Sequence, residues 1–122
     1  MKRKHTSVAE GQPLRVVLVT LDNHVSGAWS RAAHALSKQA PALQVSSHAA
    51  TEWDRDPAAL EETCAAIAKG DIVLVTMLFL EAHIEAVRGA LEARCDDCEA
   101  MICCMSAPEI MRLTRMGRFR MD

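Results

Sequence analysis

Short runs of apolar residues alternate along the chain with longer stretches in which apolar residues recur every three or four positions. Residues 14–21 and 72–77 are rich in β-branched side chains and apolar on both faces, which is typical of strands buried inside a sheet. Residues 43–48 alternate apolar and polar side chains and predict an edge strand. Residues 101–105 predict a fourth strand, again apolar throughout.

The stretches of helical spacing follow the strands in turn. They predict four helices, at residues 25–40, 56–69, 80–91 and 108–116. Asp56 as N-cap and Pro57 at the first helical position mark the start of the second helix, and Gly70 marks its end. Pro108 opens the last helix and Gly117 stops it. The chain is therefore expected to consist of four strand–helix units.

Such units in succession predict a three-layer α/β fold with an open parallel sheet of the Rossmann or flavodoxin-like type. Crossovers of this length pair strands in parallel through right-handed connections, and they favour the strand order 2-1-3-4. Residues 14–122 form this single domain. Residues 1–13 are polar, basic at the start and end in Gly-Gln-Pro, so we expect them to be a disordered lead.

The fourth strand has one open side in this order, yet residues 101–105 show no polar alternation. A bare apolar edge invites unwanted pairing, and proteins normally protect it. We therefore expect the chain to be a fragment truncated at this edge, where further sheet or another domain covers it, or to form a homo-oligomer through the fourth strand. The alternative is a short edge that the last helix covers.

Composition narrows the classes of function. The 122 residues are 50% hydrophobic and 25% charged, which describes one globular domain. The net charge is -2 and the chain has two Phe, two Trp and no Tyr, so nucleic-acid binding is not expected.

The longest apolar run, residues 72–80, is too short to span a membrane, and we expect a cytoplasmic protein with no transmembrane segment. Five Cys, an odd number, indicate reduced thiols.

Ligands of open parallel sheets bind at the carboxyl ends of the strands, where the strand order reverses. The loop expected there follows the first strand and contains the pattern DxHxxG, formed by Asp22, His24 and Gly27. In cobalamin-binding domains with this pattern the His binds cobalt and the Asp holds its other ring nitrogen. Thr76 after the third strand is similar to the accompanying SxL element, whereas Met105 stands where a Gly pair is expected.

Asp22, His24, Gly27 and Thr76 are therefore candidate residues for binding a small molecule. The structural alternative is that Asp22 or Ser26 caps a helix and that His24 is a partly exposed residue of its first turn. The chain contains neither GxGxxG nor GxxxxGK followed by Ser or Thr, so no dinucleotide or P-loop nucleotide site is predicted. A phosphotransfer receiver domain would need a second acidic residue beside Asp22 and a Lys after the last strand, and both are missing.

Four of the five cysteines lie close together in the sequence, as Cys95-x-x-Cys98 and Cys103-Cys104. A strand over residues 99–105, at about 3.3 Å per residue, places Cys103 about 16 Å from Cys98, too far to share one metal ion. Two interpretations of Cys95 and Cys98 stay open. They are ligands of a metal held between two subunits, or they are ordinary thiols beside an acidic turn.

No catalytic residue is predicted. His34 and His83 are expected on solvated faces of helices. The C-terminal region carries arginines at spacings of three and two residues, on what we expect to be an exposed face: Arg112, Arg115, Arg118 and Arg120. These cations would suit an interface with an acidic partner surface, and simple solvation is the alternative.

Residues 106–119, SAPEIMRLTRMGRF, resemble the pattern SxPExMRLxxxGxF near the start of the large porphyrin-binding H subunit of the magnesium chelatase family. Residues 78–81 are similar to the LIFVEE stretch of that family, and residues 16–21 are similar to its first strand. The resemblance covers residues 14–122, and the Cys-rich, Tyr-free composition resembles purple-bacterial members more than plant ones.

The resemblance implies that the chain is the N-terminal accessory domain of a much larger subunit. That family inserts Mg²⁺ into protoporphyrin IX, a ligase-class step of bacteriochlorophyll biosynthesis for photosynthesis, with ATP hydrolysed by AAA+ partner subunits. The partners it implies are the remainder of the same subunit, the AAA+ chelatase subunits and the tetrapyrrole substrate.

No catalytic residue of the family carries over to this chain. We expect no cofactor bound by this domain and no activity from it alone. DxHxxG and CxxC are not general features of the family, so His24 and the thiols gain nothing from the resemblance. The alternative function is a small-molecule binding module of cobalamin-binding or flavodoxin-like type that uses the loop after the first strand.

Overall fold

The structure, a computed structural model, describes residues 13–121, apart from the side chain of Val25. The predicted lead covers residues 1–13, and residues 1–12 of it lie outside the described range. The elements in chain order are β1 (Leu14–Thr20), a 3-10 helix (Asn23–Val25), α1 (Ser26–Gln39), β2 (Leu43–Ala49), α2 (Ala50–Trp53), α3 (Pro57–Lys69), β3 (Ile72–Thr76), α4 (Glu81–Cys95), β4 (Ala100–Cys104), α5 (Pro108–Met111), β5 (Arg115–Met116) and β6 (Phe119–Arg120). The four predicted strands and the first three predicted helices are confirmed.

The strands form one sheet in the order β2-β1-β3-β4-β5-β6. β2, β1, β3 and β4 run parallel, which confirms the α/β class and the predicted order 2-1-3-4. β5 and β6 run antiparallel to their neighbours, so the sheet is mixed rather than wholly parallel. β2 lies at one edge, as its polar alternation predicts. No helix within residues 13–121 is long and apolar enough to cross a membrane.

β4 is not an edge strand, and the prediction that its apolar side lies bare is wrong. β5 pairs with β4, where Met116 lies opposite Ala100, and β6 pairs with β5. Thr114 closes the junction, because its hydroxyl accepts from the amide of Cys103 and donates to the carbonyl of Cys103, both at 3.0 Å. The edge of β4 therefore gives no ground for a truncation there or for a homo-oligomer through this strand.

The predicted last helix is also shorter than expected. α5 ends at Met111, and the chain then turns back along β4. Gly117 does not stop a helix. It lies in the hairpin turn between β5 and β6, where its φ of 57° is in the left-handed region that glycine adopts at no steric cost. The sequence predicts a longer helix here because Pro108 is followed by apolar residues at helical spacing, and nothing in that local pattern indicates the hairpin.

α3 and α4 pack together on one face of the sheet and enclose the main core. Alternate residues of the central strands point into it: Val17 and Val19 of β1, Val73 and Val75 of β3, and Met101 and Cys103 of β4. Ile67 of α3 and Leu91 of α4 are fully buried against these strands. Each such apolar side chain contributes about 1.5–3 kcal/mol when it is removed from water.

The opposite face of the sheet is only partly covered. The connection through α1 runs from β1 to β2, toward one edge of the sheet, whereas the connections through α3 and α4 run toward the other edge. Because each crossover is right-handed, α1 lies on this face and α3 and α4 lie on the other. α1 packs against β2 and has no fully buried residue. The cross-strand rows on this face, over β3 to β6, are called the open face: Ile72, Leu74, Ala100, Ile102, Met116 and Phe119.

We expect Gly117→Ala to lower the free energy of unfolding by about 1–2 kcal/mol, because an L side chain in the left-handed conformation is strained. A Cβ at Gly117 would meet nothing within 4 Å, so the cost comes from the backbone alone. Gly89→Ala is the matched control, since its Cβ also meets nothing within 4 Å but lies inside α4. There Ala stabilises by about 0.5–1 kcal/mol. Urea unfolding measures both variants, and effects of the same sign would contradict the prediction.

Candidate functional site

The segment between β1 and α1 holds two of the four predicted ligand-binding residues, Asp22 and His24. Asp22 is exposed and caps the 3-10 helix, because its carboxylate oxygen Oδ1 accepts a hydrogen bond of 2.9 Å from the backbone amide of His24. His24 is exposed, and its contact with Asp22 runs through the backbone rather than the ring. The loop therefore has the geometry of a helix cap, which was the structural alternative.

Gly27 and Thr76 complete the predicted set. Gly27 lies exposed in the first turn of α1, and a Cβ there would approach only Nη1 of Arg31, at 3.5 Å. Thr76 is half-buried at the end of β3, directly after Val75, which pairs with Val19 of β1. The fold thus brings Thr76 and the Asp22 loop to the same edge of the sheet, as the sequence predicts.

The space beneath this loop is small. A cavity of about 10 Å³ is lined by residues of β1, β2 and the loop, among them Thr20, Asp22 and His48. That volume is about the space of one water molecule, whereas ligand pockets of proteins occupy about 300–1,000 Å³. The cavity beneath the loop is therefore far smaller than a pocket that would enclose a corrin or a flavin.

A larger cleft of about 310 Å³ opens between β1, β2 and α3. Its polar lining includes Arg15, Gln44, Ser46 and Lys69. Arg15 and Gln44 lie at the amino ends of their strands, the end opposite to that at which open parallel sheets bind ligands. The cleft therefore lies apart from the predicted site.

His48 is a half-buried titratable residue that sequence reasoning missed. It belongs to β2, where its Nε2 lies 3.0 Å from the hydroxyl of Ser46. Burial lowers the pKa of His48, while the carboxylates of Glu62 and Glu52 act in the opposite direction and only partly offset it. The folded state therefore favours the neutral imidazole. The sequence signal that could have identified His48 is the pair of polar residues Ser46 and His48, two positions apart on a predicted edge strand.

The lowered pKa of His48 predicts that the chain is less stable in acid. The unfolded chain binds a proton at His48 near pH 6.5, whereas the folded chain resists it, so stability falls as the pH drops below this value toward the folded pKa. We expect His48→Gln to flatten the dependence of the unfolding free energy on pH between about 7 and 5. Urea titrations measure it, with His34→Gln on the exposed side of α1 as control. An unchanged slope in His48→Gln would refute the prediction.

Two methionines take strained backbone conformations at the carboxyl ends of β3 and β4. Met77 has φ of 67° and Met105 has φ of 47°, and both are outside the usual range of residues with a side chain. The amide of Met77 donates to the carbonyl of Met105 at 2.8 Å, and the amide of Leu78 donates to the hydroxyl of Ser106 at 3.1 Å. The chain segments that leave the two strands are thereby joined, and Met105 and Ser106 stand where the cobalamin-binding pattern has a Gly pair.

The paired cysteines are buried within the domain. Cys95 donates to the carbonyl of Leu113 at 3.2 Å and Cys98 to the carbonyl of Cys95 at 3.6 Å. Burial raises the pKa of Cys95 and Cys98, and it raises the pKa of Cys103 to about 12. Among residues 13–121 there is no group of three or more His, Cys, Asp or Glu that could hold a metal ion. A metal between subunits at Cys95 and Cys98 would require these thiols to become exposed and deprotonated.

The burial of the thiols predicts which of them react. Cys104 is the exposed cysteine of the five, whereas Cys95, Cys98 and Cys103 are buried. We expect alkylation at pH 8 to modify Cys104 first and Cys103 only after urea unfolding, because the buried thiol is both inaccessible and protonated. Peptide mass mapping over time measures this order. Cys104→Ser should remove the fast phase, and rapid labelling of Cys103 in the folded chain would contradict the assignment.

His83 is buried, so the expectation of a solvated face is wrong for this residue, whereas His34 is exposed as expected. The ring of His83 meets the ring of Trp53 edge-on, with centroids 5.9 Å apart. The indole of Trp53 donates to the hydroxyl of Thr63 at 3.0 Å. Nε2 of His83 lies 3.6 Å from a carboxylate oxygen of Asp54, and Nδ1 has no hydrogen-bond partner. The cluster joins α2, α3 and α4.

The predicted arginine face is divided by the fold. Arg115 is largely buried, donates to the carbonyl of Cys95 at 3.2 Å and lies 3.8 Å from the carboxylate of Asp96. Arg120 reaches the same carboxylate at 3.4 Å, which fixes the hairpin to the end of α4. Arg112 and Arg118 are exposed. Two of the four arginines therefore contact Asp96 within the domain, and the other two are exposed.

The comparisons with known proteins show the family of the chain. The chain belongs to the family described as a domain of unknown function (DUF3479), which it matches over residues 15–122. Its relatives include the magnesium-chelatase H subunits of Rhodobacter capsulatus, 38% identical over 102 residues, and of Cereibacter sphaeroides, 40% identical over 107 residues. The chloroplastic ChlH subunit of the magnesium chelatase of Oryza sativa subsp. indica is 27% identical over 112 residues.

These alignments cover most of this chain and little of the relatives. They span 84% of the chain against R. capsulatus, 88% against C. sphaeroides and 89% against rice, but only 9%, 9% and 8% of those proteins. The resemblance of the chain to the magnesium-chelatase H subunit is confirmed. The chain thus corresponds to less than a tenth of the length of these relatives.

Proposed function

We propose that the chain is the N-terminal accessory domain of the porphyrin-binding H subunit of a magnesium chelatase. In this role the complete protein binds protoporphyrin IX and receives Mg²⁺ as substrate, while AAA+ partner subunits hydrolyse ATP. The observation that carries the proposal is the 40% identity with the C. sphaeroides relative over 88% of this chain. The domain itself supplies interfaces rather than catalytic groups.

The segment that first indicated the family has a structural task, which supports an accessory role. Ser106 accepts from the amide of Leu78 and donates to the carbonyl of Cys104, so it ties β3 to β4. Pro108 begins α5, and Gly117 forms the hairpin turn. These residues shape the end of the sheet, and none of them is placed to transfer a proton or bind a metal.

Three buried hydroxyl side chains also have internal tasks. Thr63 accepts from Trp53, Ser106 ties the strands together, and Thr114 bonds to the backbone of β4. Each of these three hydroxyls also donates its proton to a backbone carbonyl, so none has a free proton for a substrate. We therefore place the insertion of Mg²⁺ in other parts of the subunit.

A small-molecule binding module at Asp22, His24, Gly27 and Thr76 is the alternative. Asp22 contacts the backbone of His24, and the cavity beneath the loop measures about 10 Å³. Neither feature favours a bound cofactor at this loop. Titration with cobalamin separates the two proposals, because ligation by His24 would shift the absorption spectrum and the shift would vanish in His24→Ala.

A hybrid protein tests the proposal. In it, this chain replaces the matching 107-residue segment of the C. sphaeroides H subunit. We expect the hybrid, with the AAA+ subunits, ATP, Mg²⁺ and protoporphyrin IX, to insert Mg²⁺ at a rate within about tenfold of the unaltered protein, since only interfaces must be matched. Fluorescence of the magnesium porphyrin measures the rate.

Two controls accompany the hybrid. A C. sphaeroides protein with the segment deleted should be much less active, and this chain alone should be inactive. A folded hybrid without activity, or a His24-dependent cobalamin spectrum of the isolated chain, would overturn the proposed function. Circular dichroism verifies that each protein is folded.

A further inference from the structure

The open face has the composition of a protein interior. Leu74 lies beside Ile102, and a second row consists of Ile72, Ala100, Met116 and Phe119. Leu74 and Ile102 are half-buried, while Met116 and Phe119 are 41% and 49% exposed. β3 and β4 carry apolar residues on both faces, which is the pattern of strands covered on both sides.

Exposed methionines lie beyond these rows, toward the carboxyl ends of the strands. Thr76 and Cys104 lie in the next row toward the carboxyl ends of β3 and β4, and Met77 and Met105 follow them directly. Met77 is 37% exposed and Met105 is 65% exposed. Contiguous apolar patches of this kind mark surfaces that are covered by a partner, because their exposure to water is unfavourable.

We propose that the open face is the docking surface for an amphipathic helix of the same subunit, supplied by polypeptide outside this chain. This inference rests on the proposed function, since it takes the chain to be part of an H-type subunit. The matched segment makes up 9% of the C. sphaeroides relative, so such a protein contains far more polypeptide than this domain. A tethered segment acts at an effective concentration of about millimolar, which favours it over a second copy.

The dimensions of the face suit one helix. A helix with side chains is about 10–12 Å wide, and neighbouring strands are about 4.8 Å apart, so one helix covers roughly two strands. β3 and β4, with Leu74 and Ile102 at their centre, form this floor. β5 and β6 have two residues each and form its rim, where Met116 and Phe119 would pack against the side of the helix.

The positive charge at the rim indicates the sign of the charge that the docked helix carries. Arg118 lies in the hairpin turn next to Phe119, is exposed, and forms no ion pair with the described part of the chain. Arg115 and Arg120 are instead engaged by Asp96. A docked helix that carries acidic residues along its border would complement Arg118.

Cys104 provides a direct test, because it is exposed on this side of the sheet. Alkylation of Cys104 by N-ethylmaleimide is timed by peptide mass mapping in the isolated chain and in the hybrid protein. We expect the rate in the hybrid to be at least tenfold lower. Ala93→Cys on the exposed side of α4 is the accessibility control and should react at rates that differ by less than twofold.

Substitutions on the open face test whether docking causes the protection. Met116→Glu and Phe119→Glu place a charge at exposed positions, so the isolated chain should stay folded. In the hybrid they should restore alkylation of Cys104, because a buried charge expels the helix. Leu36→Glu is the matched control, since Leu36 on α1 is also 41% exposed but lies off the open face. It should leave Cys104 protected.

Each outcome decides the proposal. Equal alkylation of Cys104 in the isolated chain and in the hybrid, or equal protection of Cys104 and of the cysteine control, overturns it. A dimer of the isolated chain that Met116→Glu dissociates in analytical ultracentrifugation also overturns it, in favour of a second copy. Insertion of Mg²⁺ by the hybrid is scored separately, so the proposed function and the docking surface can fail independently.

Discussion

The handedness of the crossovers is the constraint on which the rest of the structure depends. The connection from β1 to β2 runs one way across the sheet, and the connections to β3 and β4 run the other way. Right-handed crossovers then place α1 on one face and α3 with α4 on the other. The interior is therefore complete under α3 and α4, where Val19, Val73 and Val75 are fully buried. The other face has a single helix for its whole width, and that imbalance creates the open face.

The parallel part of the fold was predictable from local pattern, and the end of the chain was not. Strands apolar on both faces and helices with clear caps, such as Asp56 before Pro57, identify β1 to β4 and their order. Residues 108–116 obey the rules of a helix equally well, but Thr114 can bond to both the amide and the carbonyl of Cys103. That tertiary contact favours a hairpin, and local spacing does not contain it.

The candidate site shows the same division between local and tertiary information. The sequence places Asp22 and Thr76 at one edge of the sheet, because both follow parallel strands, and the structure agrees. What the Asp22 carboxylate binds is decided by the turn geometry of its own loop, and the available space is decided by how β2 packs beside it. The burial of His83 against Trp53 depends on α2, a single turn whose packing against α3 no sequence period reveals.

The hairpin has a consequence for how the domain is made on the ribosome. β4 ends at Cys104, but the strand that shields it lies near Arg115, and the hairpin is complete only at Arg120, sixteen residues later. At a synthesis rate of about 5–20 residues per second, the nascent sheet waits roughly one to three seconds for its last strands. During that interval the unpaired edge of the apolar strand β4 is accessible to chaperones and to neighbouring nascent chains. Translation speed over the final codons of this segment therefore bears on the yield of folded protein.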